Sequence, residues 1–301
     1  MSGVVEASKP GFGVRMARWG IPLIFGATQL FRRPPRSPSS VSVHRYGEHP
    51  DENLELIAPR ADAPRRWPVI YLHGGGWIAG RKELYTRYLS FLADAGYPIF
   101  NLEYPMAPEN PHPGILRCLL KALDWISENH NDIRGACLMG DSAGGNLAMM
   151  LGLFSANPKL LDAVAPERGG VMPLACHSVV SLYGVLDRLS WIEDGFPGGK
   201  MMLESYGGRA AFEPEVGPEL ALTPMDLEFE AAPASFLAVG SEDQLCRSSR
   251  LFSERLAAGP GKAVYKEYPG EGHGFFNVGR TRCDAELRRD ILEFLDSIDG
   301  A

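Results

Sequence analysis

Gly140-Asp141-Ser142-Ala143-Gly144 is the stretch best suited to covalent chemistry. The residues before it, Ala136-Cys137-Leu138-Met139, read as a buried strand, and those from Gly145 to Phe154 read as a helix. A Gly-x-Ser-x-Gly between strand and helix is a nucleophile elbow, a sharp turn that lifts the serine hydroxyl above the sheet edge. Glycines two before and two after let strand and helix approach without a clashing side chain. With 34 glycines in the chain the pattern alone is easily met by chance, so its surroundings have to decide.

His73-Gly74-Gly75-Gly76-Trp77 is the sharper signal, directly after the strand-like Val69-Ile70-Tyr71-Leu72. Acyl transfer builds negative charge on the former carbonyl oxygen, and backbone N–H groups aimed at that oxygen stabilise it. Gly74 and Gly75 are the candidate donors, with Ala143, the residue after the serine, as the third. His73 is expected to pin the loop rather than move protons. The same glycines also fit a dinucleotide fingerprint, Gly74-x-Gly76-x-x-Ala79, with Glu103 where a ribose ligand could sit. No helix opens at them to hold a pyrophosphate, which disfavours that reading.

A serine nucleophile needs a base, and the base an orienting carboxylate. Of seven histidines, His177 lies too close to Ser142 and ahead of a strand. His273 sits in Pro269-Gly270-Glu271-Gly272-His273-Gly274-Phe275, a loop directly after a strand, where a sheet-edge base should project. For the acid, Ser235 to Gly240 runs into Glu242-Asp243; either carboxylate could serve, and Asp243 is preferred.

The elements that must position these groups follow from periodicity. Strands are expected at Val41 to Tyr46, Leu54 to Ala58, Val69 to Leu72, Ile99 to Leu102, Ala136 to Met139, Val179 to Tyr183, Ser235 to Val239 and Val264 to Tyr268. Helical stripes run through Leu84, Tyr88, Phe91, Leu92 and Ala95, through Leu119, Leu123 and Ile126, and through Leu287, Ile291, Phe294, Leu295 and Ile298. The turn Arg60-Ala61-Asp62-Ala63-Pro64-Arg65-Arg66 separates the second and third strands. Antiparallel strands first and βα units after them imply a mostly parallel sheet with helices on both faces.

Two segments stand outside that scheme. Leu186 to Pro233 is too long for a plain connection and is rich in Gly, Pro, Met and aromatics, as a cap over the site would be. Residues 1 to 36 carry six basic residues (Lys9, Arg15, Arg18, Arg32, Arg33, Arg36) against Glu6 alone, around an apolar run from Trp19 to Phe31. That run is too short to span a membrane. It reads as a cap helix, with an interfacial anchor as the alternative, and Pro34 to Ser40 as its linker. The resulting partition is a cap segment over 1–40, core over 41–185, cap insertion over 186–233 and core over 234–301.

A net charge of −7 argues against nucleic acid as partner. Five scattered cysteines with no C-x-x-C suggest neither zinc nor a disulfide framework, and fit a reducing, cytoplasmic setting.

Together these stretches resemble the hormone-sensitive-lipase family of α/β-hydrolases, the bacterial family IV carboxylesterases. The matching pieces are His73-Gly74-Gly75-Gly76-Trp77, Tyr104-Pro105-Met106-Ala107-Pro108-Glu109, Gly140-Asp141-Ser142-Ala143-Gly144-Gly145-Asn146-Leu147-Ala148, Glu242-Asp243-Gln244-Leu245 and His273-Gly274-Phe275. The resemblance implies an eight-stranded α/β-hydrolase core with a helical cap, a triad of Ser142, Asp243 and His273, and an oxyanion hole from Gly74, Gly75 and Ala143. Two departures stand out: Tyr104-Pro105-Met106 lacks the arginine the family usually has after that tyrosine, and Gln244 stands in place of the usual proline after the acid. The expected activity is hydrolysis of short- to medium-chain acyl esters without metal or organic cofactor, with amide cleavage as the runner-up. A non-catalytic ligand receptor on the same fold is the rival, and the presence of His273 speaks against it. Beyond a small-molecule ester, a homodimer and weak membrane contact through the N-terminal segment are the partners to consider.

Overall fold

The computed structural model describes residues 5–31, 35–38, 40–62, 66–259, 261–278 and 281–299. Arg32, Arg33, Pro34 and Ser39, and Ala63-Pro64-Arg65 of the expected turn, lie outside the described residues.

All eight expected strands form, shifted by a few residues at their ends: β1 (Val41–Arg45), β2 (Asn53–Ile57), β3 (Val69–Leu72), β4 (Ile99–Leu102), β5 (Gly135–Asp141), β6 (Ala175–Leu182), β7 (Ala234–Gly240) and β8 (Ala263–Tyr268). They build one sheet in the order β1-β2-β4-β3-β5-β6-β7-β8. β2 runs antiparallel to both β1 and β4, and the other pairs are parallel. Central strands covered on both faces should be apolar throughout, and β3 and β5 are buried along their whole length.

Alternation along the strands sorts the core into two layers. Ile70, Leu72, Leu138, Val179 and Leu237 face one side, packed with α3 (Gly114–Asn129), α4 (Ala143–Ala156) and α8 (Cys246–Ala258). Val69, Tyr71, Met139, Val180 and Phe236 face the other, with α2 (Ser90–Asp94) and α9 (Asp284–Asp299). α4 lies within the first layer with twelve buried residues, so the elbow it starts from has no room to shift.

The stripe from Leu84 to Ala95 is less helical than its periodicity predicts: a 3₁₀ turn over Lys82–Leu84 and the five-residue α2 replace one long helix. Contacts override propensity here. The Lys82 N–H donates to Glu103 Oε2 at 3.0 Å and the Tyr85 hydroxyl to Asp141 Oδ2 at 2.9 Å, which draws the segment into the site. Residues 186 to 233 fold as α6 (Arg188–Glu193), α7 (Gly199–Gly207) and three short 3₁₀ turns. α1 (Phe12–Phe31) packs beside α7. Among the described residues no helix is long and apolar enough to cross a membrane.

Candidate active site

Ser142 sits between β5 and α4 at φ 52°, ψ −120°. A non-glycine residue with positive φ is disfavoured by about 1–3 kcal/mol, and here packing on every side imposes it. A Cβ on Gly140 would lie 2.4 Å from Gly144 backbone, and one on Gly144 2.0 Å from the Leu72 carbonyl oxygen. The two elbow glycines are therefore required by contact with β3.

Three side chains from three strand ends meet here. His273, after β8, places Nε2 3.1 Å from Ser142 Oγ and Nδ1 2.9 Å from Asp243 Oδ2. Asp243, after β7, is fully shielded, and its Oδ1 accepts the Leu245 N–H at 2.9 Å. Of the two candidate carboxylates Asp243 is the one against the histidine, while the Glu242 side chain is exposed. Tyr183 and Phe196 pack edge-on around the His273 ring at 5.0 and 4.9 Å, which limits its freedom to turn.

The glycine loop is held by buried polar groups. Asp141 accepts from the Tyr71 hydroxyl at 2.9 Å, the Tyr85 hydroxyl at 2.9 Å and the Gly74 N–H at 2.7 Å. Burial lifts the Asp141 carboxyl above its usual range even though those three donors pull the other way. On the far side of the loop His73 Nδ1 lies 2.8 Å from the Gly74 carbonyl oxygen and Nε2 3.0 Å from Glu103 Oε1. Both partners are acceptors, so both ring nitrogens carry protons and His73 is a cation. Burial alone would lower its pKa, but the Glu103 charge and these hydrogen bonds outweigh it and raise it; burial pushes Glu103 up and His73 brings it below the usual range. Tyr104 stacks on His73 at 4.4 Å and its hydroxyl donates to the His73 carbonyl at 2.7 Å. His73 thus pins the loop, and Glu103 is spent on that pairing rather than turned toward a ribose.

The three expected oxyanion donors are not alike in the structure. The Gly74 N–H already donates to the buried Asp141 carboxylate at 2.7 Å, a charge-assisted bond stronger than a neutral one. Gly75 (φ 124°) and Gly76 (φ 61°) instead follow it in backbone shapes open to glycine, and their N–H groups have no acceptor among the described residues, nor does that of Ala143. A Cβ on Gly76 would strike Met202 Sδ at 2.3 Å, and one on Gly75 the Ala79 carbonyl oxygen at 1.9 Å. Asp141, Tyr71, Tyr85 and Gly76 are the residues the sequence reading missed. The visible clue was a carboxylate placed at the end of an otherwise apolar strand.

A cavity of about 340 Å³ opens at Ser142 and His273 and is walled by Ile21 and Phe25 of α1, Leu84, Phe196 and Met202. Gln244, the residue that departs from the family pattern, lies at its rim.

Residues 69–277 match a family described as alpha/beta hydrolase fold. The chain belongs to this family. Within it the chain falls in the hormone-sensitive-lipase group: it is 39% identical over 110 residues to mouse hormone-sensitive lipase, covering 34% of this chain and 14% of that protein. It is 30% identical over 251 residues to Esterase LipC of Mycobacterium tuberculosis, covering 77% of this chain and 60% of that one. The chain thus spans less than two thirds of the length of either curated relative. Among solved structures this hydrolase fold superposes on esterase B of Lactobacillus rhamnosis with a TM-score of 0.80 at 21% identity, over 96% of this chain and 94% of the other. An esterase of Pyrobaculum calidifontis gives 0.74 at 21% identity, over 98% and 96%.

Proposed function

We propose that the chain is a serine carboxylesterase acting on short- to medium-chain acyl esters through Ser142, His273 and Asp243. The observation that carries this reading is the run of contacts from Asp243 Oδ2 through His273 to Ser142 Oγ, 2.9 and 3.1 Å, at the mouth of an apolar cavity. The naming of Esterase LipC and of the superposed structures as esterases supports the ester class.

With Nδ1–H donated to Asp243, Nε2 accepts the Ser142 proton as Oγ adds to the ester carbonyl carbon. The carbonyl oxygen becomes an oxyanion, received by the N–H groups of Gly75, Gly76 and Ala143; each such donor contributes about 10²–10³ in kcat where it has been removed elsewhere. The imidazolium returns the proton to the departing alkoxide, leaving an acyl-enzyme. Water, deprotonated by the same nitrogen, then releases the acid. The acyl chain lies along Ile21, Phe25 and Met202, so α1 and residues 186–233 act as the cap, and a cavity of about 340 Å³ holds a chain of short to medium length.

The test is a series of p-nitrophenyl esters of rising chain length, with folded Ser142→Ala beside the parent. Turnover should fall by about 10⁶ in the variant, the scale seen when a serine nucleophile is removed in subtilisin. Near-parental turnover in folded Ser142→Ala would refute the assignment.

A further inference from the structure

α1 is apolar on both faces. Inward, Val14 is buried and Ile21 and Phe25 reach the core and the cavity, while Arg18 is tied to the Ile78 and Ala107 carbonyls and to Glu109, and Gln29 to the Leu84 and Asn277 carbonyls. Outward, Phe12, Met16, Trp19, Leu23 and Leu30 recur at helical spacing along one line, between 49 and 80% exposed. A surface helix of a monomer turns polar residues outward, and a helix apolar all round is covered by something.

Charge selects the cover. Six of the 30 basic residues but one of the 37 acidic residues lie in residues 1–36, so this segment is net +5 while the rest of the chain is net −12. α1 contains no acidic residue, and Arg15 borders the exposed line. Two copies meeting through this face would bring basic segment against basic segment. An anionic lipid surface meets both demands, since it takes the apolar line into the acyl boundary and pairs its headgroups with the arginines. Trp19, midway along the line, has the amphipathic ring favoured at that depth.

We infer that the outward face of α1 docks on an anionic phospholipid bilayer, and that the inward face of the same helix receives the acyl chain. One helix would then serve as wall of the cavity and as lipid contact, so an ester dissolved in the bilayer reaches Ser142 past a single turn of helix. The acyl role of the cavity rests on the function proposed above; lipid binding does not, and it is measured without turnover.

The test sediments the full chain with sucrose-loaded vesicles of phosphatidylcholine, or of equimolar phosphatidylcholine and phosphatidylglycerol. The chain should pellet with the anionic vesicles, less so as salt rises. Trp19→Gln/Leu23→Gln should weaken binding by about tenfold or more, and Arg15→Glu should weaken it on anionic vesicles alone. Neither touches the cavity, so p-nitrophenyl butyrate turnover should stay at the parental level, which also reports an intact fold. The inference is overturned if the parent stays in the supernatant with anionic vesicles, or if the double variant pellets as well as the parent. It is overturned too if the parent sediments without lipid as a dimer that the double variant splits, since the face then belongs to a second copy.

Discussion

The two sides of the cavity are held by different physics. On the glycine-loop side, Asp141, Tyr71, Tyr85, His73 and Glu103 are buried polar groups joined by hydrogen bonds of 2.7 to 3.0 Å. On the helix side, Ile21, Phe25, Phe196 and Met202 close the cavity by apolar contact. Buried polar networks are directional, and breaking one partner leaves an unpaired group at about 1–3 kcal/mol. Apolar packing is non-directional and graded with area. The loop side therefore suits atoms that must be aimed within a fraction of an ångström, and the helix side suits chains of variable length. Changes on the loop side should strike every substrate alike, and changes on the helix side should strike by substrate size.

After loss of the Ser142 hydroxyl, the largest effect tests the relay itself. Asp243→Asn should lower kcat by about 10⁴, the loss seen when the same exchange misorients the histidine of a serine protease. Glu242→Gln should leave it within a few-fold, because the Glu242 side chain is exposed and away from His273. Steady-state kinetics on one soluble ester decides, and a larger loss for Glu242→Gln would exchange the two roles.

Asp141→Asn comes next. The amide keeps one acceptor oxygen for three donors and sets its own NH₂ among them, so the Gly74 loop loosens and the Gly75 and Gly76 amides lose their aim. A loss of about 10²–10³ in kcat is expected, as for removal of an oxyanion donor, with KM little changed. The same factor for acetate and octanoate esters is the mark of the loop side. A loss that grows with chain length would place Asp141 in the packing instead.

Much of this was legible in the sequence, and what was missed has a common cause. Strand periodicity located all eight strands because burial is written residue by residue. Ser142, Asp243 and His273, which the structure brings within hydrogen-bond distance in series, could be singled out because each follows a strand. The direction of a single amide is not written that way. That Gly74 spends its N–H on Asp141, while those of Gly75 and Gly76 have no acceptor among the described residues, depends on two successive backbone turns within the loop. The shortened α2 was hidden for a related reason, since its apolar spacing is helical but Tyr85 is pulled aside by a carboxylate 56 residues later in the chain. α1 read as either cap or anchor because a list of apolar residues does not say that they occupy both faces.

The two sides also differ in how they use a buried histidine. His73 is charged and paired, whereas His112 accepts no charge: its Nε2 lies 3.0 Å from the Glu219 carbonyl, its Nδ1 is 3.4 Å from the Tyr206 hydroxyl, and burial lowers its pKa to about 4. Between that value and the ordinary histidine range the unfolded chain binds a proton that the folded one refuses. Stability should therefore fall as pH drops through this window, by on the order of 3 kcal/mol in all. Because His112 ties the Tyr206 and Glu219 segments to the core, the acid-labile part should be residues 186–233. Urea unfolding at several pH values checks it: His112→Asn should flatten the acid limb, and an unchanged limb would assign the loss to other groups.

The smallest effect separates the two sides most cleanly. The Phe25 ring reaches Gly274, beside His273, close enough that a Cβ there would sit 3.3 Å away, and it forms part of the cavity wall. Phe25→Ala removes surface that an acyl chain would cover but touches no atom of the Ser142, His273 and Asp243 relay. An acetate ester, whose acyl group is a single methyl beyond the carbonyl, should keep nearly its full kcat/KM. Each further methylene that has lost its contact should cost up to about 0.8 kcal/mol, a factor of about four, until the chain outgrows the gap. A ladder of p-nitrophenyl esters from acetate to octanoate then gives a slope against chain length for Phe25→Ala and a flat offset for Asp141→Asn. If Phe25→Ala instead lowered every ester by one factor, the ring would be positioning His273 through Gly274, and the helix side would share the aiming task assigned here to the loop.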